Sequence, residues 1–145
     1  MLLKKITLLS REEYIKYHPI IPVVNARWWL KTSYYDRNID YVTVAADLGS
    51  SSYIVSDIGV RPCCIFELDS SDAAFWCKPE MLIGTKVRFG NYEWTVVDIK
   101  EGKIRTLCDQ IIAKRRFDCD GNFCCLEDAD LGLWLVNEGL KLITA

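Results

Sequence analysis

Two strand-period runs, Lys86–Phe89 and Glu93–Ile99, closing on Gly90–Asn91 constrain this chain most. A tight Gly-containing connection between such runs is a hairpin signal, because glycine accepts the positive φ that the turn demands. The segment Gly84–Asp98, GTKVRFGNYEWTVVD, therefore reads as a strand pair, set past the middle of 145 residues. Two further strand-like runs, WWLKTS at Trp28–Ser33 and GVRPC at Gly59–Cys63, come before it. A chain of this length is the usual size of one domain.

The remaining signals fill in an α+β pattern of mostly antiparallel strands and two short helices. Lys5–Leu9 suits a strand. Ser10 with Glu13 forms a capping box that predicts a helix over Arg11–Tyr17, and Pro19 ends it by pushing His18 out of the helical region. Arg27–Thr32, Tyr41–Ala46, Tyr53–Val55 and Cys63–Leu68 read as strands, with LGSSS at Leu48–Ser52 as a turn. Glu101–Gly102 turns the chain into a strand at Lys103–Cys108, and Asp109–Lys114 continues as a strand or short turn. Glu127–Gly139 predicts the second helix with Gly139 as its stop, and Leu140–Ile143 a closing strand.

Size and composition narrow the function. Half of the residues are hydrophobic and five are Trp, enough for a packed core without staples. A net charge of −2 argues against a dedicated nucleic-acid binder, and Lys114–Arg115–Arg116 reads as a solvated turn. No apolar run reaches the ~18 residues of a membrane span, and the start, MLLKKITLLS, is too short in apolar length for an export signal. The expected location is the cytoplasm, where the seven cysteines stay reduced.

Several blocks resemble the bacterial DUF6273 family, a domain family of unknown function associated with C-type-lectin-like folds. FGNYEWTVVD at Phe89–Asp98 matches the family's "FGxYxWxVLD", and LCDQIIAKRRF at Leu107–Phe117 its "LL(S/T)xxIIxKRxF". DADLGLWL at Asp128–Leu135 echoes "SDLRxWLN". The blocks LLSREEYIKY at Leu8–Tyr17, WWLKTS at Trp28–Ser33 and GVRPCC at Gly59–Cys64 are similar to "LLSxEEYxKY", "WWLRSP" and "GVRPAL". The resemblance implies a circularly permuted, C-type-lectin-like domain, a single unit with exchanged halves, about 1–68 and 82–145, joined by 69–81. Such an exchange costs little when the parent termini lie close together. The resemblance carries no assigned chemistry. Lys31–Thr32 replaces Arg–Ser, the proline after Ser33 is missing, and Cys63–Cys64 replaces Ala–Leu.

The candidate sites are of two kinds. Cys119, Cys124 and Cys125 share a Gly-containing loop, and Cys77 in the connecting segment would complete a tetrahedral set for a structural zinc. The spacing is not a clean C-x2-C pair, so free thiols are the competing reading. Cys63, Cys64 and Cys108 lie in strand runs and read as small core residues. His18 has no Ser or Cys motif beside it to form a triad. Asp36/Asp40 and Asp128/Asp130 read as turn and helix-start residues. Adjacent Trp28 and Trp29 must point to opposite faces of a strand: one is core, and the other packs under a helix or stands at a surface. Trp29, Tyr34, Tyr35, Arg37 and Tyr53 form the candidate partner-binding set, being of the residue types that dominate protein interfaces.

The expectation is a non-enzymatic protein-binding module. By analogy of size, charge and permutation, it fits a phage- or mobile-element-encoded inhibitor of a bacterial defence nuclease, such as a CRISPR effector, with no direct contact to nucleic acid or membrane. The alternative is a lectin-like domain that binds carbohydrate or a small ligand. A cysteine hydrolase is the third reading.

Overall fold

The Gly90–Asn91 connection does close a hairpin. In the computed structural model, which describes residues 2–35, 38–52, 57–68, 82–118 and 126–145 (of 33–35, 51–52 and 128 only the backbone), β7 (Lys86–Phe89) pairs antiparallel with β8 (Tyr92–Lys100). Gly90 sits at φ +61. Glu101 and Gly102, both at positive φ, turn β8 into β9 (Lys103–Cys108).

β9 then pairs with β6 (Cys63–Glu67), and β6 with β1 (Leu2–Thr7), giving a five-stranded antiparallel sheet ordered β1-β6-β9-β8-β7. A second sheet is ordered β10-β5-β2-β3-β4. It comprises β2 (Trp28–Tyr35), β3 (Asn38–Val42), β4 (Leu48–Ser52), β5 (Ile58–Val60) and β10 (Ala113–Arg115). Its pairings are antiparallel except β2 beside β5, where Trp28 meets Gly59 in parallel. A Cβ on Gly59 would lie 2.6 Å from the Arg27 carbonyl oxygen, so only glycine admits this approach. Each sheet draws strands from before residue 68 and from after residue 82.

The capping box forms as expected. Helix α1 (Arg11–Tyr17) starts with the Glu13 N–H donating to Ser10 Oγ at 3.1 Å and the Ser10 N–H donating to Glu13 Oε1 at 2.8 Å. It buries Tyr14 and Tyr17 against Trp28, Leu30, Val97 and Leu107. The C-terminal end differs from expectation. After a 3-10 turn (Leu126–Asp128), α2 (Asp130–Trp134) passes through a π-helical turn (Leu135–Gly139) into α3 (Leu140–Thr144). Gly139 is not a stop and Leu140–Ile143 is not a strand. Gly139 keeps right-handed helical geometry and makes room for Trp134, whose ring a Cβ would meet at 3.0 Å.

The end of α3 is instead held by the hairpin. The Asn91 N–H donates to the Ile143 carbonyl at 2.8 Å, and Asn91 Nδ2 donates to the Ala145 carbonyl at 2.9 Å. LGSSS is strand β4, not a turn; the turn falls earlier, where Ala46 takes φ +65 and the Thr43 N–H donates to the Asp47 carbonyl. The expected strand at 53–55 lies outside the described residues.

Three apolar clusters follow from this layering. One joins Trp29, Phe117 and Leu131 between the second sheet and α2; a second joins Trp28 to α1; the third joins Trp94, Phe66 and Ile143 under α3. No helix among the described residues is long and apolar enough to cross a membrane.

Candidate interaction site

Among the described residues β1 is an edge strand, bonded to β6 on one side only, so its outer N–H and C=O groups form a template for another strand. Its register with β6 shifts between Leu3 and Lys5, leaving Lys4 as an extra residue. Side chains alternate across the pleat. Leu3 and Ile6, opposite Phe66 and Cys64, fall on the face covered by the C-terminal helices; Lys5, opposite Ile65, falls on the face towards α1.

The helix side of β1 is a groove of about 490 Å³, walled by Leu3, Ile6, Leu126, Leu133, Val136 and Leu140, with Lys4, Lys5 and Glu127 at its rim. Leu133 and Val136 stand 52% and 49% exposed in it. The π turn contributes by wrapping the backbone wider: Leu135 is buried in the core while Val136, its neighbour, faces out. Such turns are rare and concentrate at functional positions. Gly132 shapes the floor, since any Cβ there would overlap the Leu126 carbonyl.

The other side is polar. Lys5, Lys100, Lys103 and Arg105 surround Ile65 in a depression of about 480 Å³ that also includes Asp98 and Glu101. Arg105 pairs with Glu13, Lys4 with Glu67 at 3.3 Å, and Lys16 approaches Asp98 at 4.0 Å. Among the described residues Lys5, Lys100 and Lys103 enter no ion pair. One edge strand thus separates an apolar groove from a surface with surplus positive charge.

The residues expected to bind a partner are placed differently. Trp29 is fully buried, its indole N–H donating to the Arg115 carbonyl at 2.8 Å and its ring edge-on to Phe117 at 5.5 Å. It is a core residue and leaves the interface set. Trp28 is buried on the opposite face, edge-on to Tyr14 at 5.6 Å, because the second sheet is covered on both sides. Tyr34 and Tyr35 end β2 with only their backbone described. Arg37 and Tyr53 lie outside the described residues, as do the zinc candidates Cys77, Cys119, Cys124 and Cys125.

Among the described residues no group of three or more His, Cys, Asp or Glu could hold a metal. Cys63, Cys64 and Cys108 are buried; burial pushes the Cys63 thiol up to about 12 and that of Cys108 to about 11, and raises Cys64 as well. These thiols stay protonated at neutral pH and are poor nucleophiles. His18 packs beside Tyr14, ring centroids 5.8 Å apart.

Two ionisable side chains, Arg61 and Asp40, are buried. Arg61, of the GVRP block, is 1% exposed: Nε donates to the Cys108 carbonyl at 2.6 Å, Nη2 to the Pro22 carbonyl at 2.8 Å, and the guanidinium lies 4.9 Å from the Trp28 ring centroid. Burial lowers its pKa to about 10, so it remains charged at neutral pH and ties β9, the loop at Pro22 and β2 together. Asp40, expected in a turn, is instead buried in β3. Among the described residues neither of its oxygens has a hydrogen-bond partner, and Arg11 Nη1 pairs with Oδ2 at a loose 3.7 Å. Burial raises its pKa, against the lowering pull of Arg11.

Sequence reasoning missed Leu133, Val136 and the lysine surface. Lys4–Lys5 and the Lys103/Arg105 alternation are visible in the chain, but only the β1-β6-β9 pairing brings them side by side. Compared with family models, curated proteins and solved structures, the chain matches none. Fold and site together define an α+β domain with mostly antiparallel sheets and an apolar groove beside an open strand edge.

Proposed function

We propose that this chain is a non-catalytic protein-binding module of the bacterial cytoplasm, acting as a mobile-element-encoded inhibitor of a defence nuclease such as a CRISPR effector. The observation that carries the reading is the groove, where Leu133 and Val136 stay half exposed beside an edge strand. Exposed apolar clusters with polar rims mark protein contact sites, and open strand edges recruit partner strands. Cys63, Cys64 and Cys108 are buried and protonated, so these thiols offer no reactive nucleophile.

We further propose kinship with the DUF6273 family as a circularly permuted, C-type-lectin-like domain. Support comes from the roles of the matching blocks: Trp94, Trp28, Trp29 and Arg61 are all buried scaffold residues. Leu68 donates to the Gly102 carbonyl at the β8–β9 turn and Gly84 to the Val96 carbonyl of β8, so the two sides are about three strand spacings of ~4.8 Å apart laterally and about six residues apart along β8, roughly 25 Å in all. The thirteen residues 69–81 can reach across that distance easily.

The test is affinity capture from a bacterial lysate with the native chain and with a Leu133→Glu/Val136→Glu variant, followed by titration of any captured nuclease. The native chain retains one dominant protein in equimolar amount, the variant loses it, and inhibition saturates at one equivalent. Unchanged capture by the variant, or inhibition far below one equivalent, refutes the reading.

A further inference from the structure

Resting on that protein-binding reading, we propose that the partner presents an extended segment with alternating apolar and acidic side chains, which adds to the first sheet as a sixth strand along β1. Among the described residues the five-stranded order ends at β1, so the backbone groups of its outer edge can complete a ladder with an incoming chain. Any added strand presents successive side chains to opposite faces. On the helix face they enter the groove of Leu3, Ile6, Leu133, Val136 and Leu140, which only apolar groups fill without loss of hydration. On the other face they meet Lys4 and Lys5 directly, with Lys100 and Lys103 adding positive potential from further along the same surface.

The period of two is thus imposed by the pleat, and the two chemistries by the two faces. Acidic groups opposite lysine across neighbouring strands are the favourable cross-strand pairing. Lysines on an edge strand also deter unwanted strand addition, and here that effect is selective. A second copy of LLKKIT brought against β1 sets lysine near lysine, whereas an acidic strand relieves the charge of Lys5, which enters no ion pair among the described residues. The bulge at Lys4 reinforces this, because it turns an additional lysine to the face where Glu67 lies.

The experiment screens a displayed library of short random peptides against the immobilised full chain, then measures enriched peptides in solution by fluorescence anisotropy. The expected result is enrichment of sequences that alternate apolar and acidic residues. Lys5→Glu and, separately, Val136→Glu each weaken them roughly tenfold, while Lys114→Glu, on the other sheet, has no effect. Both variants are surface changes, and circular dichroism and thermal unfolding verify that they fold. Replacing the acidic residues of the peptide with lysine abolishes binding to the native chain. Enriched peptides without alternation, or peptides insensitive to Lys5→Glu and Val136→Glu, overturn this inference while leaving a protein-binding module in place. No enrichment at all overturns the inference, and the lysate capture then decides the broader reading by itself.

Discussion

Gly90 offers a sharp test of how the hairpin holds the C-terminal helices. It sits at φ +61, and a Cβ would overlap the Ile143 carbonyl oxygen and lie 2.9 Å from its carbon. Gly102 has a similar backbone, φ +75, with nothing within 4 Å of a built Cβ. Alanine at either position bears the cost of left-handed geometry, roughly 1–2 kcal/mol. At Gly90 the carbonyl must also move, breaking the 2.8 Å bond from the Asn91 N–H and loosening Ile143 in its cluster with Trp94 and Phe66. The lost bond adds about 1 kcal/mol and the disturbed packing about another 1 kcal/mol. Gly90→Ala therefore costs about 3–4 kcal/mol and Gly102→Ala about 1–2 kcal/mol. At roughly 3 °C per kcal/mol for a chain of this size, Tm falls by about 10 °C for the first and about 5 °C for the second. Paired thermal melts read the difference. Equal shifts would refute the claim that the β7–β8 turn anchors α3.

Asp40→Asn should stabilise the protein at pH 7. Burial raises the carboxyl's pKa in the folded state, so stability tied to its protonated form is present near pH 4 and lost as pH rises through the folded pKa. The variant's gain in Tm should shrink towards pH 4, and a loss at pH 7 would mean that Arg11 at 3.7 Å outweighs burial. Site-resolved alkylation at pH 7 should leave Cys63, Cys64 and Cys108 unmodified in the native chain and label them after unfolding; native labelling of any of the three contradicts the packing. Arg61→Lys should destabilise by about 2 kcal/mol, since an ammonium cannot keep both carbonyl bonds and the Trp28 contact. Urea melts check this, and an unchanged midpoint would show that the fork is dispensable.

Local chemistry was legible in the sequence wherever the signal is local. Ser10 and Glu13 announce α1, and Gly90 announces the β7–β8 hairpin, because capping and positive φ are decided by neighbours. Leu48–Ser52 misled for the opposite reason. Gly and Ser favour turns, yet pairing with β3 makes the segment a strand, and Gly49 leaves room for the Tyr41 ring, 2.9 Å from where its Cβ would be. Gly139 misled likewise: packing against Trp134, not chain termination, accounts for it. Trp29 was legible as one of two opposed aromatics, but that both faces of its sheet are covered depends on α2 packing some hundred residues away. The groove was invisible for the same reason, as it is made by β1 and the C-terminal helices from opposite ends of the chain.

The claim that the β1 edge is the working surface is tested most directly by amide hydrogen exchange on the captured complex, compared with the free chain. Slowed exchange concentrated in 2–7 and 133–140, with the second sheet unchanged, is the predicted result. Protection that spares β1 and falls on β4 or β10 would contradict it.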